Sequence, residues 1–165
     1  MQTAEKKSSF ITHTFPNINP INTAEEAIKQ GHYNDYYRFI SNETVKIEPA
    51  EGPKNLHLVC FNRTIGETEY VELLRAEGKR PCRNAPAYLG GLMKEVPEDK
   101  MPEELRNKDL VAAEPDTTSS VFAGRSGRRC FLCVSRGGGA RMLDRAGVDG
   151  EWVGGWAFPA EDLAP

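Results

Sequence analysis

Four cysteines, three histidines and a cluster of arginines are the residues of this 165-residue chain whose types could do chemistry. Cys130-Phe-Leu-Cys133 has the spacing of a zinc knuckle or a redox pair, and both need a tight turn or a helix N-terminus to bring two sulfurs together. Here Phe131 and Leu132 continue a strand pattern. An offset of three in a strand sends the thiols to opposite faces, about 10 Å apart along the chain, which excludes shared coordination. The pair reads as buried free thiols acting as small apolar groups, and Cys60, inside another strand pattern, reads the same way. Cys82 lies between Pro81 and Arg83, neighbours that favour a thiolate, but an inert loop cysteine is the better reading. His13, His32 and His57 show no ligand spacing to one another or to a Cys or acid, so each reads as structural or solvated. Gly137-Gly-Gly139 is flanked by strands with no following Lys-Ser/Thr pair, which makes it a hairpin loop rather than a phosphate cradle. The acidic run from Glu95 to Glu104 lacks the alternating Asp/Asn and central Gly of a calcium loop and reads as a solvated surface. The expectation is a non-enzymatic protein without metal or cofactor.

Arginine placement is the stronger signal. Between positions 125 and 145 there are six Arg against one acid, Asp144, so this window carries +5 and the remainder of the chain −8. Arg136 and Arg141 bracket the GGG loop, and Arg125 and Arg128 flank the turn at the other end of the same strand. Loops on a rigid scaffold are where binding residues concentrate. The expected binding residues are therefore Arg125, Arg128, Arg136, Arg141 and Arg145, with Trp152. The first reading is recognition of a protein or small ligand through the C-terminal hairpin loops. The alternative is nucleic-acid binding by the same Arg, with Trp152 or a Tyr as a stacking surface. Weighing equally against both, Arg beside hairpins also protects sheet edges or pairs with the chain's own acids, Glu95 to Glu104 among them.

The elements that must position these residues follow from periodicity and turn chemistry. The C-terminal third predicts a meander of three strands, Arg129 to Ser135, Ala140 to Leu143 and Glu151 to Phe158, joined by RGGGA and DRAGVDG. Alternation puts Trp152, Trp156 and Phe158 on one face, an aromatic surface that belongs inside. Thr23-Ala-Glu-Glu26 has capping-box spacing and predicts a helix over 24–30 ended at Gly31. Thr64-Ile-Gly-Glu67 offers a second box, before a helix with Tyr70, Val71 and Leu74 on one stripe that Gly78 closes. A further helix spans Ala87 to Met93, weakened at Gly90 and Gly91 by about 1 kcal/mol each relative to alanine. Val45 to Glu48 and Leu56 to Phe61 predict a hairpin around EGPKN. Phe10 to Ile21, with Pro16 and Pro20, predicts an extended segment lying on the body. Short strands are expected at Leu110 to Ala113 and Ser120 to Ala123, and one helical turn at Glu103 to Arg106.

The fold class implied is α+β, a mixed or antiparallel sheet with two to three helices and a β-rich C-terminal third, in a single domain over 10–165 behind a flexible tail, 1–9. A chain of this length buries about 70% of its unfolded surface in one core. Its 39% apolar and 27% charged content is ordinary for such a domain, and the net charge of −3 predicts no general affinity for nucleic acid or anionic membrane. No apolar run reaches the ~18 residues of a membrane span, and the N-terminus lacks a secretory apolar core, so a cytoplasmic location is expected. The run AEEAIKQGHYN, the strand ending CFNRTI, ELLRAEGKRP, AYLGGL, DLVAA and the closing EWVGGWAF resemble an uncharacterised family of short bacterial proteins. More remotely, Gly78-Lys-Arg-Pro81 followed by a Gly-rich β region ending in an aromatic strand is similar to C-type-lectin-like domains of the formylglycine-generating-enzyme kind. Cys82-Arg-Asn-Ala stands where that family continues Leu-Pro-Thr with an acid, and no paired catalytic Cys is present. The resemblance implies that fold without the activity.

Overall fold

A computed structural model describes residues 10–48, 51–114, 121–123, 127–137, 140–148, 152 and 154–163. The tail 1–9 and Arg125 lie outside them. Among the described residues the chain forms three helices and a nine-stranded mixed sheet, an α+β arrangement whose C-terminal third is rich in strands. The strands are β1 (Ile11–Ile18), β2 (Asp35–Tyr36), β3 (Lys54–Cys60), β4 (Lys79–Pro81), β5 (Asp109–Val111), β6 (Val121–Ala123), β7 (Arg129–Gly137), β8 (Ala140–Gly147) and β9 (Trp156–Asp162); the helices are α1 (Ala24–Gln30), α2 (Glu67–Ala76) and α3 (Ala85–Glu95). The main order is β1-β3-β9-β5-β7-β8-β2, with β4 on β9 and β6 on β7. β5 with β9 and β2 with β8 are the parallel pairs. No described helix is long and apolar enough to cross a membrane.

Alternation along the strands divides the core in two. Leu56, Leu58, Cys60, Leu132, Val134 and Ala157 pack with α1 and α3, whereas Val59, Phe61, Phe131, Cys133 and Phe158 pack with Tyr70 and Leu74 of α2. The sheet is thus covered on both sides, which is why β3 and β7 read as nearly continuous apolar runs. Cys130 and Cys133 fall in opposite cores, as an offset of three in a strand requires.

The expected meander is overturned. β7 and β8 do form the hairpin, in register from Cys130↔Gly147 to Gly137↔Ala140, so the second strand continues through Asp144 to Gly147 where a connection was expected. The third strand does not join them. β9 enters the middle of the sheet, antiparallel to β3 and parallel to β5. It also starts later, because Gly154 and Gly155 form a turn, and Trp152 instead bridges Ile65. It runs on through Pro159 because on that edge β5 pairs with β9 at Trp156 and Ala157 and β4 takes over at Ala160 to Asp162. A residue without an N–H is tolerated in that gap. The aromatic face forms all the same: Trp152 and Phe158 are buried with ring centroids 5.4 Å apart, and Trp156 packs half-buried against Phe158.

The expected Val45 to Glu48 hairpin is absent as well. Ser41 and Thr44 close a local turn, with Val45 N–H donating to Ser41 O, and the edge of β3 is taken by β1. The extended Phe10 to Ile21 segment is therefore an edge strand, broken by a register shift between Phe15 and Ile18 around Pro16. Thr23 caps α1 by accepting from Glu26 N–H, while Glu26 reaches back one residue further than expected, to Asn22 N–H. The second capping box does not form, since Gly66 is the N-cap of α2 and offers no side chain. The glycines of α3 have a packing reason: a Cβ on Gly91 would stand 1.9 Å from Asn19 O, where the chain leaving β1 crosses the helix.

Candidate ligand cleft

The described members of the expected binding set do not share one exposed surface. Arg128 and Arg145 are exposed, but Arg136, Arg141 and Trp152 are buried, the last two with 0% and 2% of their surface accessible. The expectation that Arg136 and Arg141 project from an exposed turn, with Trp152 as a stacking platform, is corrected on this point. The physical reason is that both arginines neutralise one carboxylate. Arg141 donates to Glu98 from Nε at 2.9 Å, and Arg136 donates to the other oxygen of Glu98 from Nε at 2.9 Å and from its Nη2. Remaining guanidinium donors go to carbonyls: Arg141 serves Gly31, Met93 and Val96, at the C-terminal ends of α1 and α3, and Arg136 serves Leu105 and Lys108. Helix C-termini carry unsatisfied carbonyls and partial negative charge, so a buried cation completes them. The pairing with the Glu95 to Glu104 run, weighed in the sequence as the competing reading, is what these two arginines do.

That network fixes the segment 97–109, which carries short 3-10 turns at Glu98–Lys100 and Glu103–Leu105, against the end of the sheet. Between this segment and the ends of β1 and β3 lies a cleft of about 390 Å³, lined by Phe10, Ile11, His13, Cys60, Phe61, Asn62, Glu104 and Lys108. Its walls are mainly apolar. Ile11 is 59% exposed, an unusual state for isoleucine in a strand and one that presents an aliphatic lip at the mouth. Among its polar lining groups, His13 Nε2 lies 2.8 Å from a Glu104 carboxylate oxygen, and Lys108 Nζ donates to Gly154 O at 3.0 Å. An ammonium has three donors, so this lysine keeps donors for another acceptor.

Register brings His13 and Cys60 together. Ile11 pairs with Cys60 and His13 with Leu58, so His13 and Cys60 are diagonal neighbours on one face, about 7 Å apart at the backbone. Burial pushes the Cys60 thiol above its ordinary range, with the Lys108 ammonium opposing and the Glu104 carboxylate adding to the rise. The thiol is therefore protonated at neutral pH. The other cysteines sit elsewhere: Cys82 is wholly buried and donates to Arg83 O, Cys130 donates to Arg128 O, and burial raises Cys133 well above the thiol range. Among the described residues no three His, Cys, Asp or Glu side chains are grouped to hold a metal ion.

His57 belongs to a separate polar chain. Thr14 Oγ1 lies 2.8 Å from His57 Nδ1, and His57 Nε2 lies 2.9 Å from Asp162 Oδ1, linking β1, β3 and β9 across the α2 face of the sheet. These three brace the edge strand. Of the cleft residues, sequence pattern alone puts Cys60 in a strand, His13 among structural or solvated groups and Glu104 on a solvated surface. Nothing local distinguishes them, since His13 and Glu104 are 91 positions apart and meet only through the fold. No protein-family model, curated protein or solved structure matches the chain.

Proposed function

We propose that the protein binds a small amphipathic molecule in the cleft between β1, β3 and the 97–109 segment. The observation that carries this reading is the cleft's mixed lining, in which the apolar Phe10, Ile11 and Phe61 are joined by Lys108 and the His13–Glu104 pair. Its volume of about 390 Å³ falls in the range of small-molecule sites, which combine apolar walls with a few placed polar groups. A ligand with a short hydrocarbon body and an acceptor head, such as a carboxylate, matches both kinds of lining group. The reading keeps the class expected from the sequence, a ligand-binding protein, and moves its site from the C-terminal hairpin to the opposite region of the sheet. It takes no support from the C-type-lectin-like resemblance. Octanoate titrated by calorimetry tests it. One site per chain is expected, with binding lost in Ile11→Glu, whose exposed position tolerates the charge. Equal heats from Ile11→Glu and the unaltered protein, or none from either, refute the reading.

A second reading, a single-stranded nucleic-acid surface, draws on Arg145 stacked 4.0 Å over Tyr37 and Arg38 stacked 4.1 Å over Tyr36. Asp144 and Asp35 each pair with one of these arginines. The patch therefore lacks the net positive charge that phosphate binding uses, and the cleft is favoured.

A further inference from the structure

We infer that Cys60 is the nucleophile of an acyl-transfer site in the cleft, with His13 as its base and Glu104 as the group that orients His13, and that its substrates are activated acyl compounds, esters or thioesters. This rests on the cleft as a small-molecule site and departs from the expectation of a protein without enzymatic chemistry. Three placements support it. Cys60 and His13 lie diagonally on one face of the β1–β3 pair, and both line the cavity. The imidazole is held through Nε2 by the Glu104 carboxylate, and a third group that orients a base is part of the arrangement that activates a nucleophile. Finally, Cys60 is the cysteine in the cavity lining, whereas the Cys82 and Cys130 thiols are tied to backbone carbonyls.

The roles follow from the bonding. With Glu104 accepting from His13 Nε2–H, Nδ1 keeps a free lone pair and is the basic nitrogen. Nδ1 takes the thiol proton as sulfur attacks the acyl carbon. A C–S bond forms, and the carbonyl electron pair moves to oxygen, which the Lys108 ammonium in the cleft lining can stabilise. The carbonyl re-forms, the bond to the leaving group breaks with its electron pair, and His13 returns the proton to that group. The products are the Cys60 thioester and the free alcohol or thiol. The acyl chain lies along Phe10, Ile11 and Phe61, which gives the apolar wall a task in the reaction. Because burial keeps the thiol protonated at rest, attack depends on the base.

The test uses p-nitrophenyl butyrate on the intact protein, following p-nitrophenolate release and locating the acyl group by peptide mapping. The expected result is a stoichiometric burst with the acyl group on Cys60 and none on Cys82, Cys130 or Cys133, abolished in Cys60→Ser. His13→Ala should slow the burst by about 100-fold, and added imidazole should restore part of it. Should His13→Ala misfold, Glu104→Gln serves, since that side chain is 69% exposed; it should slow the burst, and Glu104→Asp should retain more of the rate. An unlabelled Cys60, labelling spread over all four thiols, or unchanged rates in both His13→Ala and Glu104→Gln would overturn the inference. The calorimetric titration separates the two claims. Octanoate binding without acylation sinks the nucleophile and leaves the ligand site standing, and acylation of Cys60 without octanoate binding supports the nucleophile while sinking the amphipathic-carboxylate reading.

Discussion

Arg141→Met should be among the most destabilising single changes in this protein, although the sequence places Arg141 beside a glycine-rich hairpin loop. Methionine keeps an unbranched apolar stem and removes the guanidinium with its donors. Four bonds are lost: one to Glu98 and one each to the carbonyls of Gly31, Met93 and Val96. An unsatisfied buried acceptor costs about 1–3 kcal/mol, and breaking one side of a buried ion pair about 3–5 kcal/mol. Two features hold the total well below their sum. Glu98 retains Arg136, and its side chain is 24% exposed, so water can reach it. The expected loss is about 3–5 kcal/mol, which for a chain of this size is a fall in Tm of roughly 6–20 °C. Urea unfolding followed by far-UV circular dichroism measures it, with Arg128→Met as the control; Arg128 is exposed and should shift by less than about 0.5 kcal/mol. Replacing Arg136 and Arg141 together by Glu, which would be harmless were these residues exposed, should prevent folding because it buries three carboxylates beside one another. Equal midpoints for Arg141→Met and Arg128→Met would refute the burial of this guanidinium.

Two further outcomes are expected. Gly91→Ala should cost more than Gly90→Ala, although alanine favours helix at both sites, because a Cβ on Gly91 meets the backbone oxygen of Asn19 whereas one on Gly90 meets the movable end of Ile21; thermal melts of the two variants decide it, and a stabilised Gly91→Ala would contradict the close approach. Glu161 has its carboxyl pushed up by burial, but the Arg83 N–H, the Lys54 ammonium and Arg80 more than offset this and leave it below the ordinary carboxylate value. A carboxylate lowered in the folded state contributes stability that is fully present above its ordinary pKa and is lost as pH falls toward the lowered one. Stability measured from pH 7 to pH 3 should therefore fall less steeply in Glu161→Gln than in the unaltered protein, and parallel curves would show that Glu161 titrates normally.

The fold class and the three helices were legible because their signals are local. The 24–30 helix carries its own cap at Thr23 and the α2 helix its own stripe and closing glycine, so neither depends on a distant partner. The β7–β8 hairpin was legible for the same reason, with both strands and the loop contiguous. What failed were two pairings between neighbours in sequence, Val45 to Glu48 with β3 and the third meander strand with β8, because strands distant in the chain take those places. β1 and β9 both flank β3, yet β3 was assigned to the nearest apolar run, Val45 to Glu48, because neighbouring strands usually pair. The sequence pattern ends the third strand at Phe158, and the hand-over from β5 to β4 along the edge of β9 shows why the strand passes on through Pro159.

The arginines show the same limit in chemical form. Their excess over acids between 125 and 145 is real, but excess charge in sequence says nothing about whether the acids that balance it are near in space. Glu98 is the common partner of Arg136 and Arg141, reached across 38 and 43 positions. Once it is paired, the two residues change from a surface that could meet a ligand into the support for one wall of the cleft, since Arg136 also holds the carbonyls of Leu105 and Lys108. Glu104 and Lys108, which enter the cleft, adjoin or carry those carbonyls. The basic window thus acts on the candidate site at one remove, through backbone it positions rather than through contacts it makes. An Arg136→Met protein that stays folded at low temperature should accordingly bind octanoate more weakly than the unaltered chain even though the residue does not line the cleft. Equal affinity would mean that the 97–109 segment holds its place without the arginine, and that the basic window contributes stability alone.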